Sequence, residues 1–133
     1  MADFKKAFLK TMQNEGGYVN NSADRGQETY KGITMANFPK WEGWSIVHAA
    51  ISALRIFSTL DAGKKIWGQI DLVLAGNPEL QSMVADFYKE HFWDTLSLDS
   101  EPSQVIAEEV FDTAVNMGVA TAKSFIAQAR RNA

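Results

Sequence analysis

The sequence has no cysteine, two histidines and no excess of basic residues. Without cysteine, the 133-residue chain has no disulfide framework, no thiolate metal site and no cysteine nucleophile. His48 and His91 are too few for a histidine-rich metal centre, and we expect neither a metal nor an organic cofactor. Thirteen Lys and Arg against sixteen Asp and Glu give a formal charge of −3, which argues against nucleic-acid binding through clustered basic residues.

Long apolar runs are also missing. No window approaches the ~20 apolar residues that span a bilayer, so we expect no membrane insertion. The first ten residues alternate apolar and charged side chains, unlike a secretory signal peptide. We therefore expect synthesis in the cytoplasm and a separate release system if the protein acts outside it. An apolar share of 46% and a charged share of 22% are ordinary for a globular protein.

What the sequence does contain is helical periodicity. Apolar residues three or four apart predict one helix over residues 2–14, with Gly16 and Gly17 ending it. Start and stop signals predict five more, over about 45–57 with Ser45 as N-cap, 62–75, 78–93 after an Asn77 cap, 102–117 before Gly118, and 120–133. The inward stripe predicted for the fifth is Ile106, Val110, Ala114 and Met117. The predicted fold class is all-α, as a single domain over 1–133 with an irregular loop or short hairpin after the first helix.

The glycine-rich segment over residues 15–32 opens with an unusual glutamate. A loop of more than ~15 residues is uncommon in a small domain unless it is functional. Glu15 stands at the end of the first helix, where the helix dipole disfavours negative charge, and about 20° round the helical wheel from Phe4. A carboxyl group so placed favours its neutral form, which a general acid needs. Position alone, however, favours an ordinary helix end before a glycine cap.

Two further residues make a catalytic interpretation stronger. Asp24 follows Glu15 by nine residues, and Thr29 follows Asp24 by five. In such a set one carboxyl group could protonate a glycosidic oxygen, the second could assist water or stabilise positive charge, and the hydroxyl could hold the water. Taken singly, Asp24 is typical of a turn and Thr29 of a strand or loop. Glu28 competes with Asp24 as the second carboxylate.

At these positions the sequence resembles a known family. The motif Glu15-Gly16-Gly17-Tyr18, then Asp24, Thr29 and Lys31-Gly32-Ile33, is similar to the signature of the N-acetylmuramidases of glycoside hydrolase family 108. These include phage and prophage endolysins and proteins once labelled secretion activators. Further similar motifs lie at 41–44, 87–94 and 107–118. The resemblance implies a lysozyme-like fold with Glu15 as the catalytic acid. Asp24 and Thr29 are carried over from the Glu–Asp–Thr spacing of phage-type lysozymes.

The chain departs from the family pattern in two places. Asn21-Ser22 replaces the usual Asp-Pro, and Gly26-Gln27 replaces a Gly-Gly pair before the threonine. Family members also continue beyond the helix that corresponds to 120–133, into a region described as peptidoglycan-binding. We therefore expect residues 1–95 to be the catalytic part and 96–133 to begin a shortened C-terminal helical part.

Other polar and aromatic residues have both structural and functional interpretations. Candidate sugar contacts are the three tyrosines and two polar residues of these motifs, since aromatic faces and carboxylates suit carbohydrate. They are Tyr18, Tyr30, Tyr88, Asp94 and Asn116. For Trp93 and His48 we predict core packing, for Trp41 and Trp44 a hydrophobic plug, and for Asp112 with Asn116 a solvated helix face.

The function that the sequence predicts is a peptidoglycan hydrolase that cleaves the β-1,4 bond between N-acetylmuramic acid and N-acetylglucosamine. We expect a monomer that reaches bacterial glycan strands after release by a holin or another system. A carboxylate separation of ~5 Å would imply retention and one of ~7–9 Å inversion. Two alternatives remain open. One is a non-catalytic glycan-binding or secretion- or phage-associated interaction module. The other is a lytic transglycosylase, for which Glu15 alone would suffice.

Overall fold

A computed structural model of the protein describes residues 2–13, 16–20, 28–57 and 65–131. The helices are α1 Phe4–Met12, α2 Gly43–Phe57, α3 Lys65–Ala75, α4 Pro78–Tyr88, α5 Gln104–Met117 and α6 Val119–Arg131. The strands are β1 Tyr18–Asn20, β2 Glu28–Tyr30 and β3 Ile33–Thr34. The predicted mainly helical, lysozyme-like architecture, with a short hairpin after the first helix, is confirmed. None of the helices in the described ranges has the length and apolar character needed to cross a membrane.

Most helix boundaries follow local capping chemistry. Asn77 caps α4 as predicted, because its side-chain oxygen accepts a hydrogen bond from the backbone N–H of Leu80 at 2.9 Å. Ser45 is not the N-cap predicted for α2, which begins two residues earlier at Gly43. A turn before the helix explains the difference, since the backbone N–H of Ser45 already donates to the carbonyl oxygen of Glu42 at 3.3 Å.

Two glycine predictions have different outcomes. Gly118 ends α5 as predicted, with φ 99° and ψ 157°, a conformation that essentially only glycine adopts. The first helix instead ends at Met12 with Gln13 as its C-cap in a right-handed conformation. The helix therefore ends before Gly16 and Gly17, and the prediction that these glycines cap it is wrong.

The chain folds as two compact units. One is Glu15–Val84, and the other comprises Met1–Asn14 and Ala85–Ala133. The proposed catalytic part over 1–95 and C-terminal part over 96–133 stay predictions.

The unit Glu15–Val84 is built round a three-stranded antiparallel sheet in the order β1-β2-β3. Tyr30 lies opposite Tyr18 on one side and Ile33 on the other, and all three are buried. Lys31 and Gly32 join β2 to β3 with φ values of 46° and 84°, the two left-handed positions of a tight hairpin turn. Buried residues of α2, α3 and α4 complete this core: Val47, Ile51, Ile70, Leu74, Leu80 and Val84.

The other unit packs round Trp93, which is fully buried, as predicted. Its ring meets Phe4 and Phe111 edge to face, at 5.4 and 5.9 Å between centroids, and its Nε1 donates to Asp99 Oδ1 at 2.7 Å. The inward stripe of α5 differs from the prediction, because Ile106 and Met117 are exposed. The row that faces this core is Ala107, Val110, Phe111 and Ala114.

Candidate functional site

Of the three predicted catalytic residues, the structure describes Thr29. Glu15 and Asp24 lie outside the described residues, so their roles stay predictions. Thr29 lies in the middle of β2, half-buried, with Val19 and Thr34 opposite it on the two neighbouring strands. Because side chains alternate along a strand, Thr29 points to the sheet face opposite Tyr30. Val19, its neighbour on this face, is exposed.

The Gly-Gly-Tyr part of the motif is held by α3. Asp71 Oδ1 accepts a hydrogen bond from the backbone N–H of Tyr18 at 2.8 Å. A Cβ atom on Gly17 would lie 2.4 to 2.5 Å from the Asp71 carboxylate, whereas one on Gly16 would meet nothing within 4 Å. The second glycine is therefore needed for the close approach of Asp71, which fixes the start of β1. No local sequence signal indicates Asp71, which lies 53 residues beyond Tyr18, on α3.

The buried face of the sheet carries a hydrogen-bonded cluster of Tyr18, Glu28 and His48. Glu28 Oε2 accepts from the Tyr18 hydroxyl at 2.8 Å and lies 2.8 Å from His48 Nε2. Register explains the first contact, since Tyr18 pairs with Tyr30, two residues from Glu28 on the same face. The prediction that His48 is a core residue is wrong. Its side chain is 46% exposed.

A second polar cluster surrounds Tyr30. Gln81 Nε2 donates to the Tyr30 hydroxyl at 2.9 Å and to the Leu74 carbonyl at 2.8 Å, while Lys31 Nζ donates to Gln81 Oε1 at 2.6 Å. Burial raises the pKa of the Tyr30 phenol and lowers the pKa of the Lys31 ammonium. Tyr18 and Tyr30 are thus buried with engaged hydroxyls, and sugar contact by either stays a prediction.

The remaining predicted sugar contacts belong to the other unit. Tyr88 is buried and stacks on Phe92 at 5.5 Å between centroids. Asp94 is exposed and pairs with Lys89 Nζ at 2.9 Å, a hydrogen bond that raises the pKa of Lys89. Asn116 is also exposed, and its Nδ2 donates to a backbone carbonyl one turn earlier in α5. Substrate binding by Tyr88, Asp94 and Asn116 stays a prediction.

An open pocket of about 590 Å³ lies within the unit Glu15–Val84. Its wall is a row of rings, in which Trp41 meets Trp44 edge to face at 5.5 Å and Trp44 stacks on His48 at 5.8 Å. Trp44 is buried, in keeping with the predicted plug, whereas Trp41 is only half-buried. The lining residues are Met35, Pro39, Trp41, Glu42, Trp44, Ser45, Ile46, His48, Glu79 and Met83. The sequence singles out the two tryptophans of this pocket but does not indicate Glu79 and Met83, because only folding brings α4 beside residues 35–48.

Within the part of the chain that the structure describes, no group of three or more His, Asp or Glu side chains could hold a metal ion.

Comparison with known proteins gives a family match. The model of the family described as Glycosyl hydrolase 108 matches residues 8–118, which is more than half of the chain. No curated protein and no solved structure matches the chain.

Proposed function

The chain belongs to glycosyl hydrolase family 108, as the resemblance predicted, and from this premise we propose that it is an N-acetylmuramidase. Its proposed substrate is the glycan strand of peptidoglycan, cleaved at the β-1,4 bond between N-acetylmuramic acid and N-acetylglucosamine. Access to the wall after release from the cytoplasm, and action as a monomer, are part of the same proposal. The observation that supports it best is the Glu-Gly-Gly-Tyr motif at the entrance to a hairpin that Asp71 fixes.

In the proposed reaction the bond between the sugar C1 and the glycosidic oxygen breaks. Glu15 gives its proton to the leaving oxygen, and water adds to C1. Asp24 accepts a proton from that water or stabilises the positive charge on the sugar. The hydroxyl of Thr29 orients the water, a role that its place on the more exposed face of the sheet supports. The anomeric form of the first product distinguishes inversion from retention.

Glu15→Gln tests the assignment of the acid. The amide is isosteric but cannot donate a proton, so clearing of purified sacculi should fall by about 10² or more. The melting temperature should stay unchanged or rise slightly. Glu109→Gln changes an exposed glutamate of α5 and is the matched control. Mass spectrometry of the fragments separates hydrolysis, which leaves a reducing end, from transglycosylation, which leaves an anhydro sugar. Undiminished lysis by Glu15→Gln would overturn the assignment.

A further inference from the structure

We propose that the pocket lined by Trp41, Trp44, Glu42 and Glu79 binds a primary ammonium group at the end of an aliphatic chain. In the proposed substrate this group is the side-chain amine of the peptide attached to the glycan, so the identity of the ligand rests on the proposed function. The pocket would then recognise the peptide part of peptidoglycan, while the motif at Glu15 acts on the glycan.

The charge of the pocket points to a cation. Among the described residues of its lining are two carboxylates, Glu42 and Glu79, and neither Lys nor Arg is among them. Both glutamates are exposed, and none of the ion pairs seen among the described residues involves either of them. His48, the remaining ionisable group of the lining, is paired with Glu28. An ammonium group would gain charge-assisted hydrogen bonds from these carboxylates, whereas an anionic ligand would be repelled.

The aromatic wall is fixed in place before any ligand binds. The Trp41 ring lies so close to Gly43 that a Cβ there would fall 2.3 Å from it. Trp44 Nε1 donates to the Phe38 carbonyl at 2.9 Å, and the Trp44 ring stacks on His48. The negatively charged faces of these aromatic rings attract a cation. Because the rings are already held in place, binding costs little further side-chain entropy.

The apolar part of the lining favours a ligand with a methylene chain over a bare ion. Met35, Met83 and Pro39 supply flexible or flat apolar surface near the carboxylates. The volume of about 590 Å³ accommodates an alkylammonium side chain together with its hydration water. A sugar ring on Trp41 is the competing ligand, but it offers no charge to complement Glu42 and Glu79.

Binding is measured on the full chain by tryptophan fluorescence. The probes are the N-terminally acetylated tripeptide alanyl-D-glutamyl-lysine with its lysine amine free, and the same peptide with the lysine amine acetylated as well. The free amine should bind saturably, and acetylation should weaken binding by about tenfold. The double change Glu42→Gln with Glu79→Gln should weaken it similarly, and Trp41→Leu should also do so. Glu109→Gln is the control that should bind as the native chain does.

Three results would overturn the proposal: equal binding of the acetylated peptide, no saturable binding of either peptide, or displacement of the free peptide by uncharged chitin oligomers. Circular dichroism on each variant checks that it has folded. Sacculi with free and with acetylated amines, beside peptide-free glycan, separate this proposal from the proposed function. Equal rates of hydrolysis of sacculi with free and with acetylated amines would reject the amine-binding pocket but not the proposed muramidase activity. If the chain binds the amine but releases no reducing ends from any of the three substrates, the proposed muramidase activity is rejected and the amine-binding pocket is not.

Discussion

Replacing Gly17 by alanine places a methyl group where the carboxylate of Asp71 now lies. The added carbon would be 2.4 Å from Asp71 Oδ1, far inside van der Waals contact. Asp71 is the flexible partner in this clash, so it should rotate away and release the backbone N–H of Tyr18, to which it is now bonded at 2.8 Å. Gly17→Ala and Asp71→Ala should therefore break the same hydrogen bond.

The size of the effect follows from that bond. A hydrogen bond to a charged group contributes roughly 1.5–3 kcal/mol when its loss leaves a part-buried donor unpaired. Asp71→Ala should thus lower the free energy of unfolding by about 2 kcal/mol. Gly17→Ala should cost about 1–2 kcal/mol, because alanine also reduces the entropy of the unfolded chain by about 0.4–1 kcal/mol. In the double variant the methyl group meets no carboxylate and the same hydrogen bond is lost once, so its total cost should stay near that of Gly17→Ala alone, about 1–2 kcal/mol.

Urea unfolding of the native chain, the two single variants and the double variant forms a double-mutant cycle. We expect a coupling free energy of about 1–2 kcal/mol between Gly17 and Asp71. Gly16→Ala is the control, since nothing lies within 4 Å of its added carbon, and its effect should stay within ~0.5 kcal/mol of zero. Additive single effects, or equal effects of Gly16→Ala and Gly17→Ala, would refute the reasoning.

Two further predictions concern backbone strain and burial. Gly118→Ala meets no atom within 4 Å but must adopt φ 99°, so it should lower the free energy of unfolding by about 1–3 kcal/mol in urea titrations, and a neutral effect would contradict this. Burial raises the pKa of Tyr30 above 10.0, so the folded state retains this proton longer than the unfolded chain, and stability should fall as pH rises above about 10. Tyr30→Phe should make the fall in melting temperature between pH 9 and 11.5 shallower. The lowered pKa of Lys31 acts in the opposite direction in both proteins and largely cancels in the comparison. Equal slopes would contradict the assignment to Tyr30.

Helix positions could be predicted from the sequence because their signals are local. The Asn77-Pro78 start and the Gly118 stop each depend on a few neighbouring backbone groups, and both are confirmed. The buried side of α5 could not be predicted in the same way. Its apolar residues form two adjacent stripes, and only the position of Trp93 and its neighbours selects Phe111 over Ile106.

Those candidate site residues that lie in one continuous segment, residues 15–32, could be proposed from the sequence. Glycine content was enough to predict an irregular loop or short hairpin after the first helix, and the strands confirm the hairpin, whereas its catalytic role stays a proposal. The residues that hold this hairpin are distant in sequence, since Asp71 lies 53 residues from Tyr18, and His48 lies 20 from Glu28. No periodicity or turn rule connects such pairs, because only tertiary folding brings them together.

These distant contacts bear on what the motif would require beyond the proposed acid, Glu15. Tyr18 is held at both ends, with its backbone N–H on Asp71 and its hydroxyl on Glu28. Glu28 in turn contacts His48, so the first two strands are tied to both α3 and α2. A general acid is effective only when its support holds it within about 0.5 Å of the productive position. If Glu15 is the acid as proposed, Gly17 and Tyr18 are its positioning residues, and the Gly17–Asp71 coupling measures how firmly Asp71 holds these two residues.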